Sequence, residues 1–253
     1  MLNSISQLSG STLSASDGEV GEVKEAYFDD QAWTIRYLVV DTGSWLAGRE
    51  VLISPYAVQP PLGRVKEIQV GLSREQVEKS PGIDTHKPVS RRHERVYLDY
   101  YNYPQYWGGV GLWAMEALPV LPPTGLQSQA EIERAEQDLA PEDVHLRSSA
   151  NVSGYDIHAL DGSLGHVKDF IFDEASWAIR YLVVDTRNWW PGGKKVLIAT
   201  HWIDRIEWSE KTVYTQLTRE QIKNSPEYDD SVLLNREFEE RLHQAHGRPG
   251  YWD

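Results

Sequence analysis

The chain is one stretch of sequence written twice, and that constrains its fold more than any composition. At an offset of 144 residues, Asp17-Gly18 returns as Asp161-Gly162, and Gly21 as Gly165. Trp33-Thr-Ile-Arg-Tyr-Leu-Val-Val-Asp-Thr42 returns as Trp177-Ala-Ile-Arg-Tyr-Leu-Val-Val-Asp-Thr186 with one difference, and Trp45 as Trp189. An extra residue near Gly193 moves the offset to 145. Beyond it, Val51-Leu-Ile53 matches Val196-Leu-Ile198, and Leu72-Ser-Arg-Glu-Gln-Val-Glu-Lys-Ser-Pro81 matches Leu217-Thr-Arg-Glu-Gln-Ile-Lys-Asn-Ser-Pro226. Tyr106-Trp107 returns as Tyr251-Trp252. A period this long means a duplicated domain rather than a solenoid of short units.

Each copy reads as short strands separated by turns. The Asp-Gly pairs sit between apolar segments, where glycine accepts the positive φ of a hairpin turn. Val23–Phe28 and Val167–Phe172 read as strands, and so do Ile35–Val40 and Ile179–Val184, which are rich in β-branched residues. Ile35, Tyr37 and Val39 share one face of their strand and Arg36, Leu38 and Val40 the other. Both faces are largely apolar. One fills a barrel, and the other calls for cover, so the two barrels, or their helices and aromatic tails, are expected to pack on each other. Val51–Ile53 and Val196–Ile198 are further strands. Ile203–Trp208 and Thr212–Gln216 make a hairpin around Ser209-Glu210, whereas Pro60-Pro61 and Gly63 predict an irregular one in the first copy. Many short strands with turn signals point to a small barrel.

Ser73–Gln76 and Thr218–Gln221 have the spacing of a helical capping box, and Pro81 and Pro226 end those turns. A second helix is predicted over Leu233–His246. The matching stretch of the first copy, Tyr97–Tyr103, reads as an aromatic tail. The fold class is therefore all-β with short helices: two small barrels related by duplication. The domains run 6–109, with a C-terminal helix and aromatic tail, and 152–253, with C-terminal helices. Residues 110–151 form a Pro-rich acidic linker with a short helix over Gln129–Leu139.

The stretch from the Asp-Gly turn through Ile-Arg-Tyr-Leu-Val-Val-Asp-Thr, the Trp loop, Val-Leu-Ile and Leu-(Ser/Thr)-Arg-Glu-Gln-x-x-x-Ser-Pro resembles the PRC-barrel family. That family includes the cytoplasmic domain of the photosynthetic reaction-centre H subunit and a domain of the ribosome-maturation factor RimM. The resemblance implies the barrel fold and a tendency to dock on other proteins. It carries no catalytic residue over to this chain, and fold alone does not carry function.

Composition narrows the partners. Net charge is −13, from 38 acidic and 25 basic residues, and the excess falls on both halves. Nucleic-acid binders gather Lys and Arg instead, and an acidic chain is repelled by anionic membrane surfaces. With no cysteine there is no thiol nucleophile, disulfide or cysteine-based zinc site. No signal peptide is read at Met1–Gly10, and no apolar run approaches the ~20 residues of a membrane span. Phosphate-binding Gly loops, H-E-x-x-H and G-x-S-x-G motifs are absent from the sequence.

Candidate sites are few. Asp29-Asp30 and Asp173-Glu174, with Asp41 and Asp185, fall short of the six to eight oxygens of a calcium site. They read as solvated turns or as partners for Arg36 and Arg180. His243 and His246 read as an ordinary surface pair. Candidate partner-binding residues are aromatic: Trp45 in Ser44–Gly48, Trp189 and Trp190 in the second Trp loop, and the tails Tyr106, Trp107, Tyr251 and Trp252. Such rings serve as interface anchors or cap a barrel from within. The reading is a non-enzymatic protein-interaction or assembly module of the cytoplasm, with no cofactor, no metal and no nucleic acid. Its partner is an unidentified protein or a second copy of the chain. The alternative is a small-ligand or ion-binding regulatory protein with a site between the barrels.

Overall fold

The computed structural model describes residues 1–63, 65–82, 89–107, 145–187, 189, 191–232 and 234–253. The predicted linker helix and Trp190 lie outside these residues. In chain order the first elements are β1 (Leu2–Ser4), α1 (Ile5–Leu8), β2 (Thr12–Ala15), β3 (Gly18–Asp29), β4 (Thr34–Asp41), β5 (Glu50–Ile53) and β6 (Glu67–Gln69). Then come α2 (Arg74–Glu78), α3 (Arg91–Tyr101), β7 (Leu146–Ser148), α4 (Ser149–Val152), β8 (Asp156–Ala159), β9 (Gly162–Asp173) and β10 (Ile179–Asp185). The last are β11 (Lys195–Ala199), β12 (Ile203–Glu207), β13 (Thr212–Thr215), α5 (Arg219–Lys223) and α6 (Arg236–Ala245).

The chain divides into two compact units, and neither is one continuous stretch. The first-repeat unit holds Gln7–Ser148 and Glu174–Ala178. The second-repeat unit holds Met1–Ser6, Ser149–Asp173 and Ile179–Asp253. The first has a 6-stranded sheet in the order β5-β4-β3-β2-β6, with β7 paired to β3. The second has a 7-stranded sheet in the order β11-β10-β9-β8-β13-β12, with β1 paired to β9. Each unit is thus completed by the opening strand of the other repeat. The registers correspond: Leu146 pairs with Asp29 and Leu2 with Asp173.

The chain is mostly β with short helices, in two barrel-like sheets, and among the described residues neither sheet closes on itself. Bulges bend the long strands, at Val23/Glu25 in the first unit and Val183/Val184 in the second. Among the described residues, a single bridge, Val58↔Val70, stands where the second repeat has the β12–β13 hairpin. Pro60 and Pro61, which donate no backbone N–H, account for that shortfall in the first copy.

In β4 the first seven residues are buried, so both faces are covered, as their apolar character requires. In the first-repeat unit the cover is α3. Tyr37, Val39 and Leu52 pack with Tyr97 and Leu98, and Leu146 of β7 joins them. The expected aromatic tail at Tyr97–Tyr103 is therefore largely helix. Ser90 caps it by accepting from the His93 N–H at 3.4 Å, and Asn102 ends it in the left-handed region at φ 55°. Three tyrosines in the helix obscure the pattern, but Arg91, Glu94, Tyr97 and Leu98 are buried at helical spacing. Both predicted capping boxes form, Ser73 with Gln76 and Thr218 with Gln221. The turn aspartates add a second tie. Asp17 accepts from the Arg74 N–H and Asp161 from the Arg219 N–H, each at 2.7 Å.

Candidate docking surface

At one end of the first-repeat unit lies a cleft of about 830 Å3. Its walls are the first half of β3, the end of β4 with the Trp loop, and the start of α2. Two backbones cross closely at its base. A Cβ on Gly21 would stand 2.0 Å from the Asp41 carbonyl oxygen, and one on Gly165 would stand 2.4 Å from that of Asp185. Only glycine fits there, which explains its return in both copies.

Trp45 sits half-buried on a 3-10 turn, Gly43–Leu46. Its indole N–H donates to the Val20 carbonyl, and the Arg74 guanidinium lies over its ring at 4.3 Å. The ring is thus fixed, with its remaining surface lining the cleft. Glu19, Glu22 and Asp41 line it too, and none forms an ion pair among the described residues. Lys24, also in the lining, is engaged by Glu50, which raises its pKa. In the second repeat, Trp189 is 37% exposed. Its loop is held by Thr186, whose carbonyl accepts from the Trp189 N–H at 3.0 Å. The adjacent Asp185 is pulled down to about 2, chiefly by its hydrogen bonds from Arg187.

Of the tail aromatics, Tyr106 is buried and Trp107, Tyr251 and Trp252 are half-buried. Tyr106 is buried, not presented to a partner, because its ring lies under the Arg36 guanidinium at 3.8 Å and its hydroxyl joins a buried ionic network. There, Arg91 donates to the Tyr106 hydroxyl at 2.6 Å and to Glu94 at 3.1 Å, and the Tyr37 hydroxyl donates to Glu94 at 3.1 Å. Asp29 stands 3.5 Å from both Arg36 and Arg91, so this turn aspartate is an arginine partner. Burial pushes the Glu94 carboxyl up, against the pull of Arg91 and the two phenols. Trp107 packs half-buried on the core cluster. The second repeat repeats the plan. The Tyr181 hydroxyl reaches Glu239 at 2.9 Å, Arg180 lies over Tyr251 at 4.1 Å, and Arg236 lies over Trp252 at 4.0 Å. Tyr251 is pushed up to about 12 by burial and by Glu239.

His243 and His246 are not a surface pair. Both are buried, against Trp202, because α6 turns that face onto its sheet. Among the described residues no group of three or more His, Asp or Glu is placed to hold a metal ion.

The family model of the PRC-barrel domain matches residues 3–74. Residues 3–74 are a PRC-barrel domain. The match takes in β2 to β6, the Trp loop and the first residue of α2, and so every element that walls the cleft. The second repeat shares the strand order, registers and capping boxes of the first. No curated protein matches the chain. Among the described residues, no helix is long and apolar enough to cross a membrane.

Proposed function

We propose that the chain is a non-enzymatic protein-interaction or assembly module of the cytoplasm, and that it docks a basic segment of a partner protein in the Trp45 cleft. The observation that carries this is a pre-fixed tryptophan beside three carboxylates without ion pairs among the described residues. A rigid aromatic ring costs little entropy to engage, and aromatic anchors dominate binding energy at interfaces. Rim carboxylates set orientation and on-rate. The PRC-barrel match at residues 3–74 supports the reading.

The cleft volume also lies in the ~300–1,000 Å3 range of small-ligand pockets, which favours a second reading, a ligand-binding regulator. A pull-down with the intact chain separates them. Docking predicts a stoichiometric protein, lost with Trp45→Ala and weakened about tenfold or more by Glu19→Lys/Glu22→Lys in a folded chain. An empty pull-down with a ligand-dependent thermal shift, abolished by Trp45→Ala, supports the regulator instead.

A further inference from the structure

In the second-repeat unit the ring cluster under α6 is built of histidines. His243 is 3% exposed and His246 7%, and both rings lean on Trp202, with centroids at 5.0 and 4.9 Å. His201, on the outside, stacks on His243 at 5.7 Å, and Trp252 meets His243 edge-on at 4.9 Å. The first repeat has Tyr56, Leu98 and Tyr101 at the positions of His201, His243 and His246.

The hydrogen bonds fit neutral rings. His243 Nδ1 lies 2.7 Å from the Pro249 carbonyl, which only accepts, so Nδ1 carries the proton. Its Nε2 faces the Tyr181 hydroxyl at 3.1 Å. His246 Nε2 lies 2.9 Å from the Ser225 hydroxyl, and among the described residues its buried Nδ1 has no hydrogen-bond partner. An imidazolium there would bury an unsatisfied N–H.

The charged surroundings offer little relief. Arg248 of the tail faces His201 and His246, and Arg180 of β10 faces His201. The carboxylates facing His243 are Glu239 of α6 and Asp253 of the tail. Glu239 is held by Arg236 at 3.3 Å, and Asp253 accepts from the Gly250 N–H at 2.7 Å.

We propose that this cluster is an acid-triggered latch, in which proton uptake by His243 and His246 releases α6 and the tail 246–253 from the second-repeat sheet and exposes Trp202, Tyr251 and Trp252. Burial lowers all three imidazoles, and His246 falls to about 4, with Arg248 and His243 adding to the effect of burial. The sign follows. These groups bind protons more weakly in the folded unit than at their ordinary value of about 6.5. The stability present at neutral pH is therefore lost as pH falls from about 6.5 towards about 4. The first-repeat positions hold no imidazole, and the Glu94 carboxyl of α3, pushed up by burial, favours the folded unit as pH falls, the opposite sign.

Hydrogen exchange on the full chain tests this, with rates corrected for intrinsic pH dependence. Between about pH 7 and pH 4.5, Arg236–Ala245 amides should exchange about tenfold faster or more, while Arg91–Tyr101 amides change little. The double variant His243→Leu/His246→Tyr, built from the first repeat's residues, should lose the response. An unchanged α6, or an equal response in the variant, overturns the latch. If the variant does not fold, the imidazole proton resonances of the wild-type chain decide. A His246 midpoint below about 5 supports the latch, and one at about 6 or above overturns it.

Discussion

At the residue scale, the buried network around Glu94 shows what a linear reading misses. Asp29, Arg36, Arg91, Glu94 and Tyr106 are scattered along the first copy and meet only through the fold. The sequence did hold a signal. Their counterparts Asp173, Arg180, Arg236, Glu239 and Tyr251 recur at the offsets of the repeat, and charged residues kept in both copies point to paired burial. Tyr106 bridges Arg91 and Glu94 through one hydroxyl. Tyr106→Phe keeps the ring under Arg36 and removes that bridge. It should cost about 1–3 kcal/mol in denaturant unfolding, with the slope against denaturant unchanged. A loss indistinguishable from zero would show that the hydroxyl is dispensable. Trp45 was legible as a candidate, but its fixing by Val20 and Arg74 was not, since those contacts span distant parts of the copy.

At the element scale, the long strands and capping boxes were legible because hydrophobic runs and S/T-x-x-Q spacing are local signals. Helix α3 was not, because Tyr97, Tyr100 and Tyr101 suit strands as well as helices by propensity. Strands β1 and β7 were not legible either. Three residues carry no periodicity, although Leu2 and Ser4 match Leu146 and Ser148 at the repeat's own offset. Their role makes a prediction. The second half of β9 is bordered by β10 on one side and β1 on the other. Deleting residues 1–4 leaves that border open and removes the Met1–Asp173 ion pair at 3.6 Å. Amides of Ile171–Asp173 should then exchange faster, while those of Tyr27–Asp29, bordered by β7, keep their rates. Equal rates before and after deletion would mean that β1 adds no protection.

At the scale of the whole molecule, the duplication was legible from the repeat, but the division of the chain was not. Repeat boundaries follow sequence likeness, whereas compact units follow pairing, and here each unit takes a strand from the other copy. A fragment of residues 1–107 therefore carries β1 without β9 and β3 without β7. It should not be a stable monomer. Two such fragments can satisfy each other by passing β1 to the partner's β3, in the register that β7 occupies in the intact chain. Sedimentation should show a dimer, and a folded monomer would count against a requirement for the exchanged strand.

The exchange also bears on how the protein is made. Leu2 leaves the ribosome well before its pairing partner, Asp173. At about 5–20 residues per second, that partner follows about ten to thirty seconds later. The nascent chain thus carries β1 unplaced over that interval. The first-repeat sheet waits as well, until Ser148 arrives to border Tyr27. Neither sheet can be finished from its own half of the message, so a ribosome that stops early leaves a chain with an open edge.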